Sequence, residues 1–316
     1  MRSLRWSAIL FAACLFGVLV AQQSAHKDRH LFPKGCASCH QNHRSSGVLL
    51  NESGEKFCLQ CHGGVESQRE AKEAKRLGAA AQELPNIQAE FLKPFAHPMT
   101  KTWPAKDCLT CHAVHPKPED ARFVSREEER SRPFGASELC LGCHQELSAA
   151  EGGLPVSPHI SVAAGSTVRC TDCHGNDDAS GPRGLHGSRY AGILRDAYAT
   201  QDGAAESAEA YALCYRCHER RSVLNDAGPG RHVLHVVKRG VSCHTCHDPH
   251  ASAAPDLIRF DRGMVFPMDG IVEYSPASGC TLVCHGVPHS AAPLLPVQPL
   301  PVKTRSGAPE HRRENR

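Results

Sequence analysis

Residues 36–62 read "CASCHQNHRSSGVLLNESGEKFCLQCH". Two CxxCH units bracket one short segment, and that segment carries a further histidine, His43. The same arrangement returns three more times along the 316 residues, so its chemistry decides the fold.

Of 17 cysteines, 16 fall into pairs, and every pair is followed at once by His. Seven pairs are CxxCH: Cys36/Cys39/His40, Cys58/Cys61/His62, Cys108/Cys111/His112, Cys140/Cys143/His144, Cys170/Cys173/His174, Cys214/Cys217/His218 and Cys243/Cys246/His247. The eighth, Cys280/Cys284/His285 in "CTLVCHGVPHS", has one extra residue between its cysteines. CxxCH is the attachment signal of c-type haem. Two thioethers must reach two vinyl groups on one porphyrin edge, and the next residue must turn its imidazole under the iron. Paired CxxC elements also build zinc ribbons, and exported chains also form disulfides. Neither chemistry requires a His after every second Cys. The expectation is therefore eight covalently attached haem c groups, with the longer eighth loop tolerated and His285 still reaching iron.

Eight proximal His leave 13 others, among them His26, His30, His235, His244, His289 and His311. Axial ligation of haem is commonly His/His or His/Met, and only Met99, Met264 and Met268 accompany the start residue. Met cannot serve eight irons, whereas His can. His97, His159 and His232 each precede a first motif by 11 residues. His43, His115 and His250 each follow a first motif closely, and in the third unit the follower is displaced to His186. His30 or His26 is the irregular upstream member of the first unit. The chain thus reads as a fourfold repeat over about 26–64, 97–146, 159–220 and 232–289. The eight candidate distal ligands are His30, His43, His97, His115, His159, His186, His232 and His250. His250 and His289 remain alternatives, and the spacing does not say which His serves which iron. His244, His289 and His311 are expected not to be ligands.

These units resemble the multihaem cytochromes c of the doubled-CxxCH type. The resemblance rests on "CASCHQNHRSSGVLL…FCLQCH" and "CHTCHDPH", with "CTDCHG…GLHGS" as a variant, and covers about residues 26 to 289. It implies closely packed haems with bis-His iron that carry electrons across a periplasm or through an outer-membrane conduit. It also implies that each following His ligates a haem packed nearby. The wide gap from Cys173 to His186, the irregular His30 and the CxxxCH depart from the pattern.

Arg2 and Arg5, followed by the apolar run Ser7 to Ala21 and small residues at Ala21 and Ala25, read as a cleaved signal peptide over 1–25. The expected location is periplasmic, with outer-membrane association or the cell exterior as further sites. A net charge of +3 is too small to argue for nucleic acid. With cleavage after Ala21, about 37 residues remain per haem, too few for an ordinary core around each. Aromatics make up only 5% of the chain, so porphyrin faces must supply the missing apolar bulk. The expected fold is mostly irregular with short α-helices on a haem core, and little or no sheet. An exposed spacer helix is expected over Val65–Glu83, and a second helix through "AAESAEAYALCYRCH". The Pro-rich and then charged residues 290–316 read as a disordered tail.

The function that follows is electron carriage between redox partner proteins: a quinol-side donor, and a terminal reductase or outer-membrane conduit. Eight bis-His irons leave no position for substrate. The rival is a multihaem reductase of small nitrogen or sulfur compounds, which needs one open iron with acid/base groups beside it. A CxxCK motif would favour that rival, and none occurs. A filament would add self-association to transfer, on which the sequence carries no signal. Intact-mass measurement of the purified holoprotein is expected to show eight added haems, and seven would remove the final motif.

Overall fold

The structure is a computed structural model that describes residues 30–40, 55–98, 108–115, 139–147, 159, 168–225, 230–250, 252 and 254–290. The expected signal peptide, His26, His43, and all of the expected tail but Ser290 lie outside the described residues. Among the described residues no helix is long and apolar enough to cross a membrane.

Helices are short. They are α1 (Glu55–His62), α2 (Val65–Glu73), α3 (Ile87–Glu90), α4 (Cys170–Cys173), α5 (Ala212–Tyr215), α6 (Arg220–Val223) and α7 (Cys243–Cys246), with a π-helical turn at Val233–Lys238. Seven cysteine motifs share one local design. In six of them the His amide donates to the carbonyl of the first Cys, at 2.8–3.0 Å, for His40, His112, His144, His174, His218 and His247. The seventh, Cys58 to His62, lies within α1. One helical turn puts residues i and i+3 on the same side, so both sulfurs face one way and the His follows beneath.

Helix α2 departs from the expected exposed spacer. It stops at Glu73, where Lys75 adopts a left-handed φ of 55° and the Arg76 and Leu77 amides both donate to the Ala71 carbonyl. Ala71, Leu77 and Ala81 are buried together against Leu31, Phe32, Cys61 and Leu84. On the helix itself the buried positions are Gln68 and Ala71, which is why hydropathy hides the face. The Gln68 amide holds the returning strap by donating to the Leu84 carbonyl (2.8 Å) and accepting from its N–H (2.9 Å). Gly78 is required where the strap crosses the N-terminal segment, because a Cβ there would meet the His30 carbonyl at 2.3 Å.

The second expected helix forms only at Ala212–Tyr215. Its would-be first turn is claimed by the neighbouring segment. The Ala199 amide donates to the Ala210 carbonyl (2.9 Å), and the Leu213 amide to the Ala197 carbonyl (3.1 Å). Buried Tyr211 fixes that crossing.

The expectation of little or no sheet needs correction. Two small antiparallel sheets are present. Strands β1 (Phe95–Ala96) and β2 (Gly187–Ser188) pair Phe95 with Ser188 and Ala96 with Gly187. Strands β3 (Val265–Phe266), β4 (Glu273–Ser275), β5 (Gly279–Cys284) and β6 (Val287–His289) form the second sheet, with β5 at its centre. The second sheet contains the eighth cysteine motif, so the sequence feature that looked like a longer loop is a strand.

The β1–β2 contact ties the segment between repeats one and two to the loop that carries His186. Gly187 permits it, since a Cβ would collide with the Glu90 carbonyl. An ion cluster locks the same seam. Lys93 reaches Asp177 (2.8 Å) and Glu90 (2.5 Å), and Arg189 also holds Asp177, whose side chain is only 2% exposed. Burial alone would raise the Asp177 carboxyl, yet Lys93 and Arg189 pull it down to about 2. Its contribution to stability is therefore complete above its unfolded value of about 4 and is lost as pH falls toward 2. Replacing Asp177 with Ala removes the anion that Arg189 and Lys93 share, while Lys93 keeps Glu90, and is expected to cost about 2 kcal/mol in denaturant unfolding of the holoprotein. The gap between variant and parent should close as the titration is carried from pH 5 to pH 2.

Candidate haem-binding site

Seven imidazole pairs recur among the described residues. Their ring centres are 5.8–6.5 Å apart: His40–His115, His97–His144, His112–His186, His159–His218, His174–His250, His232–His247 and His235–His289. A metal binds an imidazole nitrogen at about 2.0–2.1 Å, so two rings trans across one metal have centres about 6.3 Å apart. The interplanar angles run from 15° to 84°, as two rings allow when they share an axis and differ by rotation about it.

The pairs have a rule. His115, His186 and His250, the followers of repeats two, three and four, face His40, His112 and His174, the first motifs of repeats one, two and three. Each follower thus reaches back one repeat. The upstream His97 and His159 face the second motif of their own repeat, at His144 and His218. In repeat four His232 faces His247, the first motif of the same repeat.

Local structure explains the displaced follower. Residues 186–195, "HGSRYAGILR", align without a gap with residues 250–259, "HASAAPDLIR", sharing His, Ser and Arg at the first, third and tenth positions and an apolar pair before the Arg. Ser188 and Ser252 donate to the Leu194 and Ile258 carbonyls at 2.5 and 2.8 Å. Gly192 and Ile193, like Asp256 and Leu257, turn through left-handed φ values of 54–71°. The Arg195 and Arg259 amides then donate to Cys173 and Cys246 at 2.9 and 3.0 Å. His186 and His250 are therefore the same structural residue. The ungapped ten-residue match was the signal that spacing from the motif alone did not use.

The tautomers suit metal binding. His174 Nδ1 donates to the Gly192 carbonyl (2.7 Å) and His247 Nδ1 to the Asp256 carbonyl (2.6 Å). A carbonyl only accepts, so Nδ1 carries the proton and Nε2 keeps its lone pair. Burial, with His112, His62 and His97 nearby, pushes His186 down to about 4. Burial also lowers His247 and His250. Neutral imidazole is the form that ligates iron.

The walls fit a porphyrin. One continuous cavity of about 3240 Å³ is lined by the second through eighth motifs. Ordinary ligand pockets hold about 300–1,000 Å³. Burial pushes the Cys214 thiol up to about 11, and those of Cys243 and Cys246 up to about 12. In a haem-loaded chain these sulfurs are thioethers without a proton, so the push records only how deeply they sit. Sulfurs of consecutive motifs, the second and third excepted, are also near enough to raise one another. Cys61 lies beside Cys39, Cys111 and Cys170 beside Cys140, Cys217 beside Cys173, Cys214 beside Cys243, and Cys280 and Cys284 beside Cys246. Among the described residues no three His, Cys, Asp or Glu side chains converge as a tetrahedral metal site needs.

Other expected ligands are placed differently. His62 Nδ1 faces the Pro85 carbonyl at 3.4 Å. Its sequence neighbour His43 lies outside the described residues, and His30 begins the segment that crosses Gly78. His285, expected under the eighth iron, instead meets the Asp202 carboxylate through Nε2 at 2.8 Å. His235 and His289 take a paired arrangement that spacing did not suggest.

Paired imidazoles, sulfur-lined walls and one shared apolar cavity fit a multihaem c-type cytochrome, an electron-transfer protein with covalently bound haem c. Residues 29–187 match the family described as outer membrane cytochrome MtrC/MtrF-like, domains II/IV, and the chain belongs to that family. Residues 159–222, the third repeat, match the doubled CXXCH motif. No curated protein and no solved structure gives a significant match to the chain.

Changing His186 to Ala is expected to leave one haem high-spin by EPR. Mapping should place it on Cys108/Cys111 and not on the nearer motif Cys170/Cys173, and the reverse placement would refute the cross-repeat pairing.

Proposed function

We propose that the chain is an exported octahaem electron carrier whose haems follow one another in sequence order. The observation that carries this is the set of imidazole pairs. With both axial positions filled at each iron, haem supplies one-electron chemistry and no site for substrate. Consecutive motifs other than the second and third keep their sulfurs side by side, and the His62 ring is close enough to influence His186, which links motif two to motif three. Electrons then have a continuous route from the haem at Cys36/Cys39 to the haem at Cys280/Cys284. Low dielectric around the stack, together with carbonyls on ligand Nδ1 atoms, sets the potentials.

The remaining site residues follow from this reading. The cysteine pairs of all eight motifs hold haem, and His40, His62, His112, His144, His174, His218 and His247 are proximal ligands. His97, His115, His159, His186, His232 and His250 are distal ligands, with His43 or His30 completing the second haem. The family's description as outer membrane cytochromes supports a location beyond the inner membrane, in the periplasm or at the outer membrane. The partners are redox proteins: a quinol-side donor on one end, a terminal reductase or outer-membrane conduit on the other.

EPR of the oxidised holoprotein is the test, with low-spin iron throughout as the expected result. A stoichiometric high-spin signal would instead favour a reductase with one open haem.

A further inference from the structure

The last motif is built unlike the other seven, and the difference redirects its iron ligand. Cys280 and Cys284 lie on β5, which is extended, not on a helical turn. In a strand, residues i and i+3 face opposite sides, whereas i and i+4 share one side. Cys280 and Cys284, four residues apart, therefore face the same side of β5. The two thiols are near enough that Cys284 helps raise Cys280, after burial. Leu282, between them on the same side, is 3% exposed, so this face points inward.

The residue after Cys284 cannot follow beneath. His285 and Gly286 form the two-residue turn of the β5–β6 hairpin, with φ values of 48° and 75° and Cys284 paired to Val287. Positive φ at both positions is the I′ geometry that fits hairpin twist. The turn carries His285 out to half exposure, where its Nε2 meets Asp202. Asp202 is itself fixed by the Ser242 amide and the Thr245 hydroxyl, each at 2.7 Å. A carboxylate only accepts, so the Nε2 that would bind iron carries a proton instead.

His289 returns to the inward face. It pairs across the ladder with Leu282, and directly opposed residues of an antiparallel pair project to the same side. Its ring centre is 6.1 Å from that of His235. His289 Nδ1 donates to the Val287 carbonyl (3.0 Å) and His235 Nδ1 to the Gly230 carbonyl (2.9 Å). Both keep Nε2 free for a metal, as the axial residues His174 and His247 do. The π-helical turn serves two pairs at once, since His232, just before it, faces His247 while His235 faces His289. A π turn at a functional site is its usual setting.

We propose that the haem held by Cys280 and Cys284 takes His289 and His235 as its two axial ligands, and that His285 is a turn residue anchored to Asp202. This rests on the octahaem reading above. Neither family match extends past residue 222, so nothing in the family pattern assigns these ligands.

The test uses the full-length holoprotein and its His289→Ala, His235→Ala and His285→Ala variants. Intact mass gives the haem count, peptide mapping shows whether Cys280 and Cys284 are modified, and EPR gives spin state. The expected result is one high-spin haem of eight in His289→Ala, the same haem in His235→Ala, and full low-spin iron in His285→Ala. A high-spin haem in His285→Ala with His289→Ala unchanged would overturn the proposal. His289→Met guards against misfolding: it should stay low-spin with one potential moved upward, because Met/His ligation raises the potential. The same change at 285 should move none, and a shift there alone would also overturn it. Seven haems with unmodified Cys280 and Cys284 in the parent would overturn the octahaem reading itself, whereas eight haems with the wrong variant affected would overturn only this assignment.

Discussion

The structure depends on one recurring contact, two imidazoles held with their centres about 6 Å apart by segments distant in sequence. Three of these pairs join one repeat to the next, so a metal held between them would also be a fastener between repeats. A repeat protein normally holds its units together through an apolar interface. Here few large apolar side chains are buried; among the described residues Tyr211, Leu77, Val265 and Leu282 are the largest of them. The interior is an apolar, sulfur-lined cavity, and the group that fills it supplies packing and cross-repeat bonding together. Folding of such a chain is coupled to its cofactor in the same sense as in small metal domains.

That coupling explains why local elements are small. A CxxCH unit needs one helical turn, and six motif histidines close that turn with the same amide-to-carbonyl bond. Longer helices would carry the backbone away from the haem edge. The remaining chain serves as strap, and its polar groups are satisfied one at a time. Gln68 clamps Leu84, Ser188 and Ser252 hold Leu194 and Ile258, and Lys93 with Arg189 holds Asp177.

Much of the site was legible because its chemistry is local. Two thioethers and an adjacent imidazole must be near in sequence, so the CxxCH motifs could be read directly. The recurring histidines were legible as a set of candidates, but not as partners. His115 lies three residues from His112 and faces His40 instead. His186 looked like an irregular follower, and its role is plain only beside the matching segment after His250. The spacer over Val65–Glu83 was misread for a simpler reason: Gln68 and Ala71 bury a face that hydropathy scores weakly.

The sequence by itself determined the cofactor class and the recurrence of the CxxCH motif along the chain. These follow from covalent chemistry and composition, which need no third dimension. Tertiary structure decided which imidazole faces which, because trans ligation joins residues at any separation and leaves no spacing rule. It also decided the nature of the last motif. CxxxCH reads as a stretched loop until β5 and β6 are seen. Strand periodicity then puts Cys280, Cys284 and His289 on one face and turns His285 toward Asp202.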